Sequence, residues 1–356
     1  MKLCGLVVVE DFGDDNVTEP GFVPAVEQVA NRPIAHHVLD ALESVGAVDV
    51  IVATSERCAE RVRRCLASRQ APPGSALRFV SRPGPVDLAS ALCMAAPLVG
   101  RAPCIVHAAG GLLAEPLAQV TAGLNGRPDA IIAVHHASSP DQPLSPTAQS
   151  LLHLAELDPS RSALGVAGVW AFGPGAVQLA ANGGLAGGDL TTGVDLTMVA
   201  DRISSAGGAI NVRQVDVWRT FRGGATDLLE LNRIVLDRIE ADLPPSICEG
   251  NRVAGRIRVH RTASVTDSVL VGPAVIGPGA QISDAYIGPY TAIGAGCRIE
   301  GAEIERSIVS PNARVSHIGS RITDSVVGPG ARLFRHFSMP RALRVRVGAD
   351  AELGLC

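Results

Sequence analysis

The densest group of chemically active side chains in this sequence lies near its start, where Glu10, Asp11, Asp14 and Asp15 fall within VEDFGDD. Clustered carboxylates suit either a hard divalent cation such as Mg²⁺ or water. Gly13 and the prolines that follow mark the segment as a loop, and we read it as a solvated acidic loop. Histidines are the next candidates. His36-His37 and His135-His136 are adjacent pairs, and neighbours on a helix or strand point different ways, so neither pair makes a two-ligand metal site alone. His107 closes an apolar run and is expected either to meet His135 or His136 from a neighbouring strand end or to be a hydrogen-bonded edge histidine; the second is favoured. The segment 332–347, RLFRHFSMPRALRVRV, is basic with interleaved aromatics. It is read as the cover of a domain end rather than as an anion or nucleic-acid patch. No G-x-S-x-G motif supports Ser/His/Asp catalysis. The eight cysteines show no C-x-x-C pair or metal-ligand spacing, which fits reduced thiols.

Composition narrows the partners. The 356 residues carry 47% hydrophobic and 19% charged side chains with net charge −4. That balance argues against a nucleic-acid role and, with no run of ~18 apolar residues, against a membrane span. The opening lacks a basic n-region, so a cytoplasmic location is expected. Lys2 is the only lysine, which leaves arginine to supply nearly all positive charge.

The elements that must position these groups are legible from periodicity. Leu6–Val9 and Val48–Ala53 read as buried strands flanking a helix that carries Ile34, Val38, Leu39, Leu42 and Val45, with Asn31 expected as its cap. Further strands are expected at Leu77–Ser81, Pro103–Val106, Ala130–Val134 and Ala167–Phe172, and helices at Cys58–Ser68, Asp87–Leu98 and Asp227–Ala241. Alternation at this spacing predicts a Rossmann-like, doubly wound mixed α/β sheet, with ligands expected at its carboxyl edge. Leu243-Pro244-Pro245 is taken as the boundary between domains at 1–243 and 244–356.

Beyond it the pattern changes. Val259, Val265, Val271, Ile276, Ile282, Ile287, Ile293, Ile299, Ile304, Val309 and Val315 recur every five or six positions, separated by Gly-Pro or Gly-Ala turns. This period predicts a parallel β-helix with Ala274, Ala280, Ala292, Cys297 and Ala313 at inward positions. Left-handed coiling is inferred from the hexapeptide period. Its repeated faces predict self-association.

VANRPIAHHVLDALESVGAVDVIVAT (29–54), VDVWRTFRGGATDLLELNRIVLDRI (215–239) and ISDAYIGPYTAIGAGCRIEGAEIERSIV (283–310) together resemble the sugar-1-phosphate nucleotidylyltransferases. The likeness is to the long form of glucose-1-phosphate thymidylyltransferase, with its C-terminal left-handed β-helix. The resemblance implies that a sugar phosphate attacks a nucleoside triphosphate in line and releases pyrophosphate, by positioning and electrostatics around Mg²⁺. It also implies specific parts. In place of a glycine-rich phosphate loop this chain has Val9-Glu10-Asp11-Phe12-Gly13-Asp14-Asp15, whose carboxylates repel a polyanion. The position of the family's lysine holds Pro24. The two Mg²⁺-binding aspartates are replaced by Gly110, in VHAAGGLL, and Thr220, in WRTFRGG. The base-contacting segment becomes RPGPVDLAS, with Arg82 and Asp87 at its Gln and Gly positions. The sugar-side segments become Glu156-Leu157-Asp158 and the stretch near Thr191.

The reading carried forward is a nucleotidylyltransferase-like protein that has lost this chemistry. It would act as a structural or regulatory subunit or a ligand-binding paralogue. A diverged but active nucleotidylyltransferase with re-purposed residues stays open, and so does acyl transfer at the β-helix with His260 or His317 as base. No catalytic residue is assigned. By resemblance Glu10, Asp11, Gly13, Arg82, Asp87, Gly110, Gly111, Trp218 and Arg219 are expected to line the cleft. No metal site and no cofactor are expected, with Mg²⁺ only under the active reading. Expected partners are a nucleotide or sugar phosphate and further copies of the chain or an active paralogue.

Overall fold

Short runs of branched apolar residues build the sheet, because strands covered on both faces must be apolar throughout. The computed structural model describes residues 2–9, 22–70, 72–122, 124, 130–136, 164–181, 196–247 and 250–335. The described residues fall into two compact units, one of residues 2–9, 22–27 and 33–220, the other of 28–32 and 221–335.

In the first unit, β1 (Cys4–Val8), β4 (Asp49–Ser55), β5 (Ala76–Arg82), β6 (Cys104–Ala108), β8 (Ala130–His136), β9 (Leu164–Phe172) and β10 (Ile210–Val215) form one sheet, ordered β10-β8-β9-β6-β1-β4-β5. β9 runs antiparallel to both neighbours, β6 and β8, and every other pairing is parallel. Helices α1 (Ile34–Ser44), α2 (Glu56–Ala67) and α3 (Leu88–Val99) follow β-strands or loops in the expected places. Ala91, Leu92 and Ala95 of α3 pack with Leu6, Ile51, Val106, Ile132 and Phe172 in one core.

α1 departs from expectation at its start. Its N-cap is Pro33, with no side-chain cap. Asn31 lies outside the helix with φ 65°, a conformation its short amide tolerates. Between the short strands β2 (Gln28–Val29) and β3 (Arg32–Pro33) it turns the chain and donates to the carbonyl of Ile293 at 2.7 Å. Asn31 is thus a turn residue rather than a cap.

The second unit is dominated by three parallel five-stranded sheets that wind as a left-handed β-helix. Partners one coil apart are separated by 17 residues in the first coils, as in Val265↔Ile282↔Ile299, by 16 in Ile299↔Val315 and by 18 at the end, as in Val315↔Leu333. Ala274, Ala280, Cys297 and Ala313 are buried inside it, whereas Ala292, expected inward, is buried on the outward side of its strand, in register with Val275 and Arg258, because its neighbour Ile293 takes the interior position. The expected inward role of Val271 passes to its neighbour: Leu270 is wholly buried and Val271 only partly. The step from Val265 is five rather than six because Leu270 stacks on Ile287, seventeen residues on.

Within this unit, Asn232 of the helix Ala225–Leu236 is buried, accepting from Ala30 N at 2.8 Å and donating to Tyr290 O at 3.0 Å. Among the described residues no helix is long and apolar enough to cross a membrane.

Candidate functional site

The carboxyl ends of β1 and β6 meet at one place. Beyond β1, Val9 continues the pairing by donating to Ala53 O at 2.9 Å, and Ala109, after β6, donates to Val8 O at 2.8 Å. Where a phosphate loop needs open backbone, Val9 is 1% exposed. Glu10, Asp11 and Gly13, with Asp14 and Asp15, lie outside the described residues.

The chain then enters the short strand β7 (Gly111–Leu113), which pairs antiparallel with β11 (Trp218–Thr220) in the register Gly111↔Thr220. Thr220 therefore stands across from the residue after Gly110. Pro24 is buried in the turn Pro24–Val26, and a β-carbon on Gly110 would lie 2.8 Å from its β-carbon. So the three positions where the resemblance expects a lysine and two aspartates are brought together, and apolar or uncharged residues occupy all of them.

Trp218 explains the neighbouring glycines. Its six-membered ring lies where β-carbons on Gly111 and Gly168 would stand; one on Gly168 would be 2.7 Å from the ring and 2.6 Å from the β-carbon of Ala108. Gly168 was not singled out from the sequence, although a glycine within a strand marks close approach of another group. His107, next to the site, was expected to reach His135 or His136. It does not, because β9 separates β6 from β8. Instead it packs on Trp218, with ring centroids 5.5 Å apart, and its Nδ1 lies 2.8 Å from the carbonyl of Ala108. Burial pushes the His107 pKa down to about 4, with the Ala108 hydrogen bond opposing that shift, so the ring is neutral at ordinary pH.

The other expected residues take local roles. Asp87 caps α3, accepting from Ser90 N at 2.7 Å while Ser90 Oγ accepts from Asp87 N at 3.0 Å. Arg82 ends the edge strand β5 and donates to Pro83 O at 3.3 Å. Arg219 is partly buried, facing Leu112 across the β7–β11 ladder. Glu156, Asp158 and Thr191 lie outside the described residues. His36, in α1, has Nε2 3.0 Å from Cys65 O.

Mg²⁺ asks for carboxylate oxygens in octahedral array. Positions 110 and 220 offer none, and no group of three or more His, Cys, Asp or Glu among the described residues is placed to hold a metal ion. The described residues do not fit the ion.

Residues 288–355 match the family model described as GlmU-like, C-terminal hexapeptide. The chain is 27% identical over 346 residues to a glucose-1-phosphate thymidylyltransferase of Streptomyces antibioticus, covering 91% of each chain. It is 26% identical over 339 residues to the low-salt glycan biosynthesis nucleotidyltransferase Agl11 of Haloferax volcanii, covering 92% of each. In fold it is similar to a Bacillus anthracis structure assigned as a glucose-1-phosphate thymidylyltransferase and solved with sucrose. The TM-score is 0.54 at 13% identity, covering 67% of this chain and 98% of that one. With the mixed sheet and the coils that follow it, the chain is similar along nine-tenths of its length to sugar-1-phosphate nucleotidyltransferases.

Proposed function

We propose that this chain keeps the family scaffold without the transfer of a nucleotidyl group to a sugar 1-phosphate. It would serve in the cytoplasm as a structural or regulatory subunit, or as a paralogue that binds a nucleotide or sugar phosphate. The supporting observation is the packing of Pro24 on Gly110. Transition-state charge on a transferring phosphoryl group needs fixed cations near it. The two positions where such charge would be held or neutralised instead fill each other's space.

The test is formation of pyrophosphate and nucleotide sugar from a panel of nucleoside triphosphates and sugar 1-phosphates with Mg²⁺. Turnover no higher than that of a mock-purified control is expected. Clear turnover of any pair would establish the second reading, a diverged but active enzyme. That reading draws on the β7–β11 register, which still sets Gly111 opposite Thr220 beside the cleft. A ligand that binds only the folded state raises the melting temperature, so a thermal-shift panel identifies any retained nucleotide or sugar phosphate. Self-association through the β-helix is part of the same proposal, and sedimentation showing only monomer would remove it.

A further inference from the structure

One sheet of the β-helix is built from Ser264–Thr266, Gln281–Ser283, Arg298–Glu300, Arg314–Ser316 and Arg332–Phe334. The central residue of each strand, from Val265 to Leu333, belongs to the interior cluster, so the residues on either side point outward. Register then stacks Arg298, Arg314 and Arg332 on three successive coils. All three are exposed. Strands in a sheet lie ~4.8 Å apart, which spaces the outer two backbones by roughly 10 Å.

Like charges directly opposite one another on neighbouring strands are unfavourable. Two arginines elsewhere on the β-helix are answered by acid: Arg306 lies 2.8 Å from Asp324, and Arg321 lies 2.9 Å from Glu303 while covering the ring of Tyr286. Among the described residues the guanidinium groups of the three stacked arginines have no ion-pair or hydrogen-bond partner. The acid on the same face of these coils, Glu300, is 3.7 Å from Nε2 of His317. The adjoining turn positions carry Asp267 and Asp284 on the first two coils but Gly301, His317 and Arg335 on the last three. A chain of net charge −4 thus concentrates positive charge at one end of one face.

We propose that this arginine ladder binds a linear polyphosphate anion, either an inorganic chain or the phosphate tail of a nucleotide. Guanidinium forks take phosphate oxygens two at a time. Three of them on flexible stems at even spacing suit several linked phosphates better than one. Phe334, 56% exposed, lies two residues beyond Arg332 on the same face, where it offers a surface to a base if the anion is a nucleotide. The proposal rests on the β-helix alone and does not depend on the fate of the cleft at Gly110.

The test is calorimetric titration of the full chain with inorganic tripolyphosphate, orthophosphate and nucleoside triphosphates at low and high salt. Tripolyphosphate is expected to bind on the order of tenfold more tightly than orthophosphate, and less tightly as salt screens the ladder. The triple variant R298Q/R314Q/R332Q should lose affinity on the order of tenfold, each single variant about two- to threefold, and Arg252→Gln, an exposed arginine on another sheet, nothing. Equal affinity for tripolyphosphate and nucleotide assigns the phosphate chain alone. Tighter nucleotide binding that falls in Phe334→Ala assigns a nucleotide. The proposal is overturned if the native chain does not bind tripolyphosphate, or if the triple variant binds it as well as the native chain. It is equally overturned if the triple variant changes only the sedimentation of the protein, which would make the ladder a contact between copies.

Discussion

Pro24 lies so close to Gly110 that a β-carbon on residue 110 would stand 2.8 Å from the β-carbon of Pro24. Gly110→Ala should therefore destabilise the chain by about 1–3 kcal/mol through overpacking. Pro24→Gly, which removes the opposing carbon, should lower that cost, with a coupling of roughly 0.5–3 kcal/mol in a double-mutant cycle. Denaturant melts of the four proteins measure it. Strict additivity would show that the two residues do not touch in solution.

Gly111→Ala would place a β-carbon 2.6 Å from Cη2 of Trp218 and 2.9 Å from the carbonyl oxygen of Arg219. The ring must move or the strand pair must open, at about 1–3 kcal/mol. The protein has two tryptophans, so the variant is best made in a Trp170→Phe background, where emission reports Trp218 alone. A red shift on introducing the alanine is expected, since the native ring is buried.

His107 makes stability depend on pH in a stated window. Its ordinary value is 6.5, and burial lowers it to about 4 in the folded chain. Between these values the unfolded chain binds more protons, so stability falls as pH drops from 6.5 and this loss is complete below about 4. The shift corresponds to about 3 kcal/mol. The difference in stability between the native chain and His107→Gln, followed by urea melts from pH 7 to pH 4, should shrink as the pH falls.

Asn232 satisfies two backbone groups at once, the amide of Ala30 and the carbonyl of Tyr290. Asn232→Ala leaves both without their partner in a buried place, at about 1–3 kcal/mol for each group. Asn232→Asp keeps the acceptor and loses the donor, so its cost should be nearer to that of one bond before the added charge is counted. Hydrogen exchange at the Ala30 amide separates the two, with faster exchange in the alanine variant only.

Much of this was legible in the sequence because periodicity reports burial. The apolar runs around Leu6, Ile51 and Ile105 and the five- or six-residue rhythm of the coils stand in the expected places, since one face must be dry in each. Val271 and Asn31 were misread for local reasons. The stacking of Leu270 on Ile287 sets the inward residue, and a left-handed turn claims an asparagine that otherwise looks like a cap. At the site, the resemblance located positions 24, 110 and 220, but only the β7–β11 pairing and the packing of Pro24 on Gly110 show that they adjoin. The separation of His107 from His135 and His136 depends on strand order, which no local spacing encodes. The cradle that Gly111 and Gly168 make for Trp218 joins residues fifty or more positions apart.

Close packing between residues 24 and 110 also restricts how this sequence can change. A larger residue at 110 is penalised while proline stays at 24, and a flexible residue at 24 gains no contact while 110 has no side chain. Neither step is favoured first. The two positions form a latch that opens only when both are replaced, so descendants of this chain should keep the pair together or lose it together.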